Sequence, residues 1–258
     1  MSRPLVLAAA AVFGVLGLLP LAVMLLRIAP ADLAELADAR TLSLLGRTLA
    51  LGGGTAALAF ALGLPFGFLV ARTDLPGAAL LRPLGVVPLL LPPLLLAMSW
   101  TVILPHLRGA PATILFLALS TFPLVALFSA RAFERIDATM EEAARLAGGL
   151  RAVLRLDLPL ALPAACCGTC LAFAFAINDF GVPDYVSSVG PKFNVYADEI
   201  KLDWDQFHRP GKAVATALPL IAVTLAALVP ALALRRAGAM ASLGSGFRSP
   251  PRLALGRL

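Results

Sequence analysis

The sequence TLALGGGTAALAFALGLPFGFLV, residues 48–70, decides the fold class because it runs without a charged side chain from Thr48 to Val70. As an α-helix it would be about 35 Å long, which is enough to cross the roughly 30 Å hydrocarbon core of a bilayer. Its glycines and Pro65 would weaken a helix in water. Inside a membrane bundle they are tolerated, because neighbouring helices satisfy freed backbone groups and small residues allow close contact. We therefore predict a transmembrane helix.

Five more uncharged runs of similar length follow the same pattern: Pro4–Leu26, Pro83–Leu104, Gly109–Ala130, Leu158–Asn178 and Ala213–Leu234. The first run is longer than the apolar part of a secretory signal, so we interpret it as a retained span. None of the runs alternates apolar and polar residues as the strands of a membrane barrel do. With 60% hydrophobic and 14% charged residues, the chain is far more apolar than a soluble domain. The prediction is an all-α, polytopic helical bundle of about six transmembrane helices, with the lipid bilayer as its solvent.

Charge predicts the orientation of this bundle. Most of the 21 lysines and arginines fall in alternate loops, and the positive-inside rule then places both termini in the cytoplasm. Residues 1–236 are predicted to form a single transmembrane domain with a charged cytoplasmic loop at 131–158. Residues 237–258 are predicted to form a polar cytoplasmic tail or a linker to a second half. The basic residues punctuate apolar runs and form no stripe with interleaved aromatics, so we expect no nucleic-acid partner.

The loop at 131–158 contains a helical pattern. Apolar residues recur at spacings of three and four, namely at Phe133, Ile136, Met140, Ala143 and Ala147. This periodicity predicts an amphipathic helix whose opposite face carries Glu141 and Arg145 as an i,i+4 pair. Gly148 and Gly149 are expected to end the helix, and either could make the turn.

A second short helix is predicted after these glycines, with Arg151 on its polar side, before Pro159 begins the next span. Two short helices joined at a glycine could dock in a groove of a partner protein and transmit its movement to the neighbouring spans. The alternative is a solvated amphipathic loop without a partner. Residue spacing alone leaves both interpretations open.

The sequence EEAARLAG at 141–148, followed by Leu158-Pro159, resembles the Glu-Ala-Ala loop of binding-protein-dependent ABC importer permeases. In that family the loop is a coupling helix that sits in a cleft of a separate ATPase. The resemblance implies an inner-membrane component of a bacterial cytoplasmic membrane that works with an ABC ATPase homodimer, a second permease half or subunit, and an extracytoplasmic substrate-binding protein. The candidate coupling residues are Glu141, Glu142, Ala143, Ala144, Gly148, Gly149 and Arg151.

A second resemblance concerns the external loop. NDFGVP at 178–183 and FNVY at 193–196 are similar to the branch of the family that handles ferric iron, with thiamine, polyamine and phosphonate relatives nearby. The resemblance makes ferric iron the expected substrate. We expect the loop to dock the binding protein or to line the pathway mouth; mere solvation and direct metal ligation are the alternatives. The candidate residues are Asp179, Phe180, Asp184 and Tyr185.

Missing motifs limit the function further. No G-x-x-x-x-G-K-[ST] sequence is present, so ATP and Mg are expected on the partner ATPase, and no cofactor or metal is expected on this chain. No catalytic motif was found either, which favours a transport permease over an enzyme. The remaining alternative is a secondary transporter or channel subunit that ATP does not drive. Such carriers usually place charged groups within their spans, and the six runs contain no Asp, Glu, Lys or Arg.

Overall fold

A computed structural model describes residues 3–239, 248 and 251–254 of the chain. The described residues are helical throughout, apart from loops and one isolated β-bridge. The α-helices are α1 Arg3–Leu25, α2 Pro30–Ala34, α3 Ala39–Arg72, α4 Ala78–Leu84, α5 Val87–Leu90, α6 Pro93–Ile103, α7 Gly109–Glu134, α8 Ala138–Asn178, α9 Gly181–Val189, α10 Tyr196–Lys201 and α11 Pro210–Ala239, with a 3₁₀ turn at Glu35–Ala37 and a π turn at Leu202–Gln206. The all-α prediction is confirmed.

Within the described residues, four helices are long and apolar enough to cross a membrane: α3, α7, α8 and the Pro210–Pro230 part of α11. The predicted third span is not one helix. It is divided among α4, α5 and α6, and its two arms bend by 103°. The Pro92-Pro93 pair explains this break, because proline donates no backbone hydrogen bond and forces the residue before it, here Leu91 with ψ 138°, into an extended conformation.

The broken pair, if it crosses as one span, gives five membrane-length helices against the six or so predicted. Helix α1 occupies the first predicted run, and its apolar stretch Ala11–Leu25 is short for a span.

The chain divides into two compact units. The first comprises Met1–Arg47 and Val195–Ala222. Ion pairs hold it together: the ammonium of Lys212 lies 2.7 Å from Glu35 Oε2 and 3.5 Å from Asp203 Oδ1. These contacts fasten the start of α11 to the 3₁₀ turn and to the π turn.

The second unit comprises Thr48–Asn194 and Val223–Leu258. One cluster of its core is built from small, fully buried side chains: Ala59, Ala118, Val125, Ala165 and Ala172. Close helix contact requires glycine at two of these crossings. A Cβ atom at Gly63 of α3 would lie 2.6 Å from Val125 Cβ, and one at Gly168 of α8 would lie 2.7 Å from Val125 Cα. The small residues of the predicted spans therefore pack α3 and α8 against α7.

Candidate coupling site

The segment that contains the Glu-Ala-Ala sequence begins later than its periodicity predicts. Helix α7 continues through Phe133 to Glu134, and α8 starts at Ala138. Asp137 caps this start: its Oδ1 accepts hydrogen bonds from the backbone N–H of Thr139 at 2.8 Å and from the Thr139 hydroxyl at 2.6 Å. These bonds, the side-chain one first, lower the pKa of Asp137. A carboxylate at this position satisfies amide groups that the first helical turn leaves free.

Three charged side chains meet behind this helix. Arg72, in the last turn of α3, donates from Nη2 to Glu141 Oε2. The same guanidinium donates to Asp157 Oδ2, at 3.3 Å from Nε and 3.1 Å from Nη2. Arg72 is 2% exposed, Glu141 1% and Asp157 0%. We call Arg72, Glu141 and Asp157 the buried triad. The triad joins the end of α3 to both arms of α8, that is, to the parts before and after the turn at Gly148 and Gly149.

A second arginine, outside the triad, balances its excess negative charge. Arg145 lies one turn after Glu141, is 47% exposed, and donates from Nη2 to Glu141 Oε1 at 3.0 Å. Two arginines therefore face two carboxylates, while Asp157 Oδ1 has no hydrogen-bond partner among the described residues. Burying charge is costly unless it is paired, so removal of any one member would leave an uncompensated group.

The sequence placed Glu141 on the outer face of an amphipathic helix, and that prediction is wrong. Glu141 points inward, where it accepts a hydrogen bond from Arg72, and its side chain is almost fully buried. The outer face carries Glu142, Ala143 and two large apolar side chains, Met140 at 48% and Leu146 at 91% exposure. Ala144 is half-buried between the two faces. The helix thus buries a carboxylate and exposes apolar groups.

The turn after this helix involves both glycines. Gly148 has an extended φ of −166°, which any residue adopts, whereas Gly149 has φ 64° and ψ −152°. That second conformation is essentially restricted to glycine. Arg151 follows with an exposed side chain. The predicted short helix is not separate, because α8 continues from Leu150 through Pro159 to Asn178.

The candidates at residues 179–185, which the sequence predicts to be external, are arranged differently. Asp179 follows α8, and its Oδ1 accepts a 2.8 Å hydrogen bond from the backbone N–H of Val182, in the first turn of α9. Burial raises the pKa of Asp179, partly offset by that hydrogen bond. Asp184 is exposed on α9, while Phe180 and Tyr185 are half-buried. Asp179 is therefore a local helix cap. Among the described residues no group of three or more His, Cys, Asp or Glu side chains is arranged to hold a metal.

Sequence reasoning missed Arg72 and Asp157. Each stands alone beside an apolar run, Arg72 two positions after Val70 and Asp157 one before Leu158. They looked like boundary charges that face water. Their opposite signs at the ends of two spans were the available signal that they pair.

Comparison with known proteins identifies a family for this chain. A family model described as the binding-protein-dependent transport system inner membrane component matches residues 63–238, which include the buried triad and the Glu-Ala-Ala segment. The chain belongs to this family. The permease is thus the transmembrane component of an ABC import system and a multi-pass protein of the inner membrane.

Several relatives share a named substrate class. The permease is 33% identical over 165 residues to the molybdenum transport system permease protein ModB of Escherichia coli K12, covering 51% of this chain and 68% of ModB. It is 31% identical over 134 residues to the molybdate/tungstate permease WtpB of Thermococcus kodakarensis, covering 49% of this chain and 53% of WtpB. It is 31% identical over 198 residues to a probable molybdenum permease of Haloferax volcanii, covering 69% and 72%. These relatives give no support to the ferric iron branch expected from residues 178–183.

Proposed function

We propose that this chain is the permease of an importer for molybdate or tungstate, driven by a separate ABC ATPase. The relatives from Escherichia coli, Thermococcus kodakarensis and Haloferax volcanii, which carry molybdenum, molybdate or tungstate in their names, support the proposal. Both ions are doubly charged tetrahedral oxyanions, whereas ferric iron is a hard cation that would call for oxygen ligands. ATP and Mg would reside on the ATPase, and an extracytoplasmic binding protein would deliver the oxyanion.

The coupling part of the proposal rests on the helix at 138–147, which exposes apolar side chains and buries a carboxylate. A helix that turns Leu146 and Met140 to solvent while burying Glu141 has an outer face suited to a partner groove. Glu142 on that face can pair with an arginine of the partner. The buried triad behind the helix would pass the partner's movement to α3 and to the long arm of α8.

Uptake of radiolabelled molybdate into proteoliposomes tests the substrate. The permease would be reconstituted with the ATPase and the binding protein encoded beside it, with ATP inside. We expect ATP-dependent uptake that excess tungstate suppresses and ferric citrate does not. Uptake of ferric iron without molybdate uptake would contradict the oxyanion assignment. Uptake driven by an ion gradient without ATPase would support a secondary transporter instead.

Docking is tested separately by Glu142→Lys, Leu146→Asp and Gly148→Asp. Each variant should insert and fold normally but lose co-purification with the ATPase and ATP-dependent uptake, because each changes the exposed face or the turn beside it. Arg155→Ser, at an exposed position on the other side of the turn, is the control and should retain the ATPase. Normal uptake by Glu142→Lys and Leu146→Asp would refute docking on this face.

A further inference from the structure

A short stretch of the C-terminal tail lies against the end of α3. Leu253 forms an isolated parallel β-bridge with Thr73. Its backbone N–H donates to the carbonyl oxygen of Arg72 at 2.7 Å, and its own carbonyl accepts from the N–H of Asp74 at 3.1 Å. The Leu253 side chain is only 4% exposed. Two backbone hydrogen bonds and one buried apolar side chain therefore hold this stretch in a defined register.

A second described residue of the tail, Arg248, bonds to the start of the coupling helix. The carbonyl oxygen of Arg248 accepts a 3.0 Å hydrogen bond from the backbone N–H of Ala138, the first residue of α8. The first amide groups of a helix have no partner within it, so this bond satisfies one that the Asp137 cap does not. Residues five positions apart in the tail thus bond to two elements that are more than sixty positions apart in the chain.

These two elements are the ones that the buried triad joins. Arg72 contributes its side chain to Glu141 and its carbonyl group to Leu253. Ala138 precedes Glu141 by one turn and bonds to Arg248. The coupling helix is therefore tied to the end of α3 twice, by side chains within the protein and by backbone at its edge.

We infer that Arg248 and Leu253 form a strap that positions the coupling helix, so that this helix and the end of α3 move as one body when the ATPase moves. The inference rests on the proposed coupling role of residues 138–147. The strap works by staying closed: its three backbone hydrogen bonds join the start of the helix and the end of α3 to the same short piece of chain. Opening it would leave the connection to the buried triad, so that less of the ATPase's movement would reach the span.

Proline provides a matched pair of variants in the full chain. Leu253→Pro removes the N–H that bonds to Arg72 and breaks the bridge. Ala254→Pro is the control, since Ala254 is exposed, none of the strap's hydrogen bonds uses its N–H, and proline there favours the extended conformation that Leu253 already has. We expect Leu253→Pro to lower molybdate transported per ATP hydrolysed about tenfold, the effect of losing roughly one hydrogen bond and its packing. Co-purification with the ATPase should be unchanged, which a misfolded variant would not show, and Ala254→Pro should behave as the parent.

A cross-link tests whether the strap stays closed. Thr73→Cys and Leu253→Cys would be combined in a background with Cys166, Cys167 and Cys170 changed to alanine. Bridged residues lie within the range that a disulfide spans. We expect the disulfide to form in membranes without substrate or ATPase, and the oxidised protein to keep its transport-to-hydrolysis ratio.

Three outcomes would overturn the strap: no disulfide in membranes, loss of transport on oxidation that reduction reverses, or an unchanged ratio in Leu253→Pro. An incorrect substrate assignment can be distinguished from all three outcomes. If the parent protein imports no molybdate, disulfide formation in membranes still tests the geometry, and binding-protein-stimulated ATP hydrolysis replaces transport as the readout of coupling.

Discussion

The coupling segment and helix α9 use carboxylates in opposite ways. Glu141 and Asp157 bind the same guanidinium, which lies 69 and 85 positions away from them in the chain. Asp179 bonds to a backbone amide three positions away. The first arrangement holds separate helices together, whereas the second only begins a helix. Variants at the triad should therefore change the stability of the whole second unit, and variants at Asp179 should have local effects.

Arg72→Ala should give the largest effect. It leaves two carboxylates in the interior without their shared cation, and breaking a buried ion pair on one side costs about 3–5 kcal/mol. We expect a marked drop in Tm in detergent or failure to accumulate in the membrane. Arg131→Ala, at an exposed position near the end of α7, should leave Tm unchanged.

Removal of all three charges distinguishes electrostatics from packing at the same site. Arg72→Met combined with Glu141→Leu and Asp157→Leu replaces the buried ions by apolar groups, which is often neutral or stabilising. Most of the lost Tm should return. A triple variant as unstable as Arg72→Ala would mean that the shape of the triad, and not its charge balance, stabilises the unit.

Adjacent glutamates offer a second test of the comparison. Glu141→Gln weakens charge-assisted hydrogen bonds to Arg72 and Arg145, each worth about 1.5–3 kcal/mol. Glu142→Gln changes an exposed residue and should leave Tm unchanged. We therefore expect a lower Tm for Glu141→Gln only. The Tm of both variants, measured with and without bound ATPase, would show this difference. Equal destabilisation would contradict the inward orientation of Glu141.

The helical class of this unit could be predicted because an apolar run of span length has few alternatives in a membrane. The break at Pro92-Pro93 could not be placed from pattern alone, since Pro65 and Pro163 lie in helices that continue. Whether a proline breaks a helix depends on what its neighbours provide to the freed carbonyl groups.

The orientation of the coupling helix was the more instructive error. Periodicity identifies two faces but assigns the apolar one to the interior. Here Arg72 attracts Glu141 inward, so Met140 faces out, and only the position of a residue some seventy places away reveals this. The motif glutamate Glu142 was found by resemblance, while the residues that anchor its helix were not.

Gly149→Ala tests the turn between the two arms of α8. Its φ of 64° with ψ −152° is nearly inaccessible to other residues, so a Cβ atom should cost about 1–3 kcal/mol. Gly148→Ala should cost less, because an extended φ of −166° suits any residue and the added Cβ would meet only Ala152 Cβ, at 3.1 Å. Thermal unfolding of the two variants gives the order. A larger loss at Gly148 would place the turn there.

The smallest effect is expected at Asp179 and depends on pH. Because burial raises the pKa of Asp179 in the folded protein, the protonated carboxyl contributes its full stability below the unfolded pKa of about 3.9, and that contribution is lost as pH rises through the folded pKa. Asp179→Asn keeps an acceptor for the Val182 amide without the charge, so its Tm should gain on the parent as pH rises from about 4 to 7. Asp179→Ala loses the cap and about 1 kcal/mol. A Tm difference between Asp179→Asn and the parent that stays constant over this range would mean that the carboxylate is solvated, which would return Asp179 to the surface available to a binding protein.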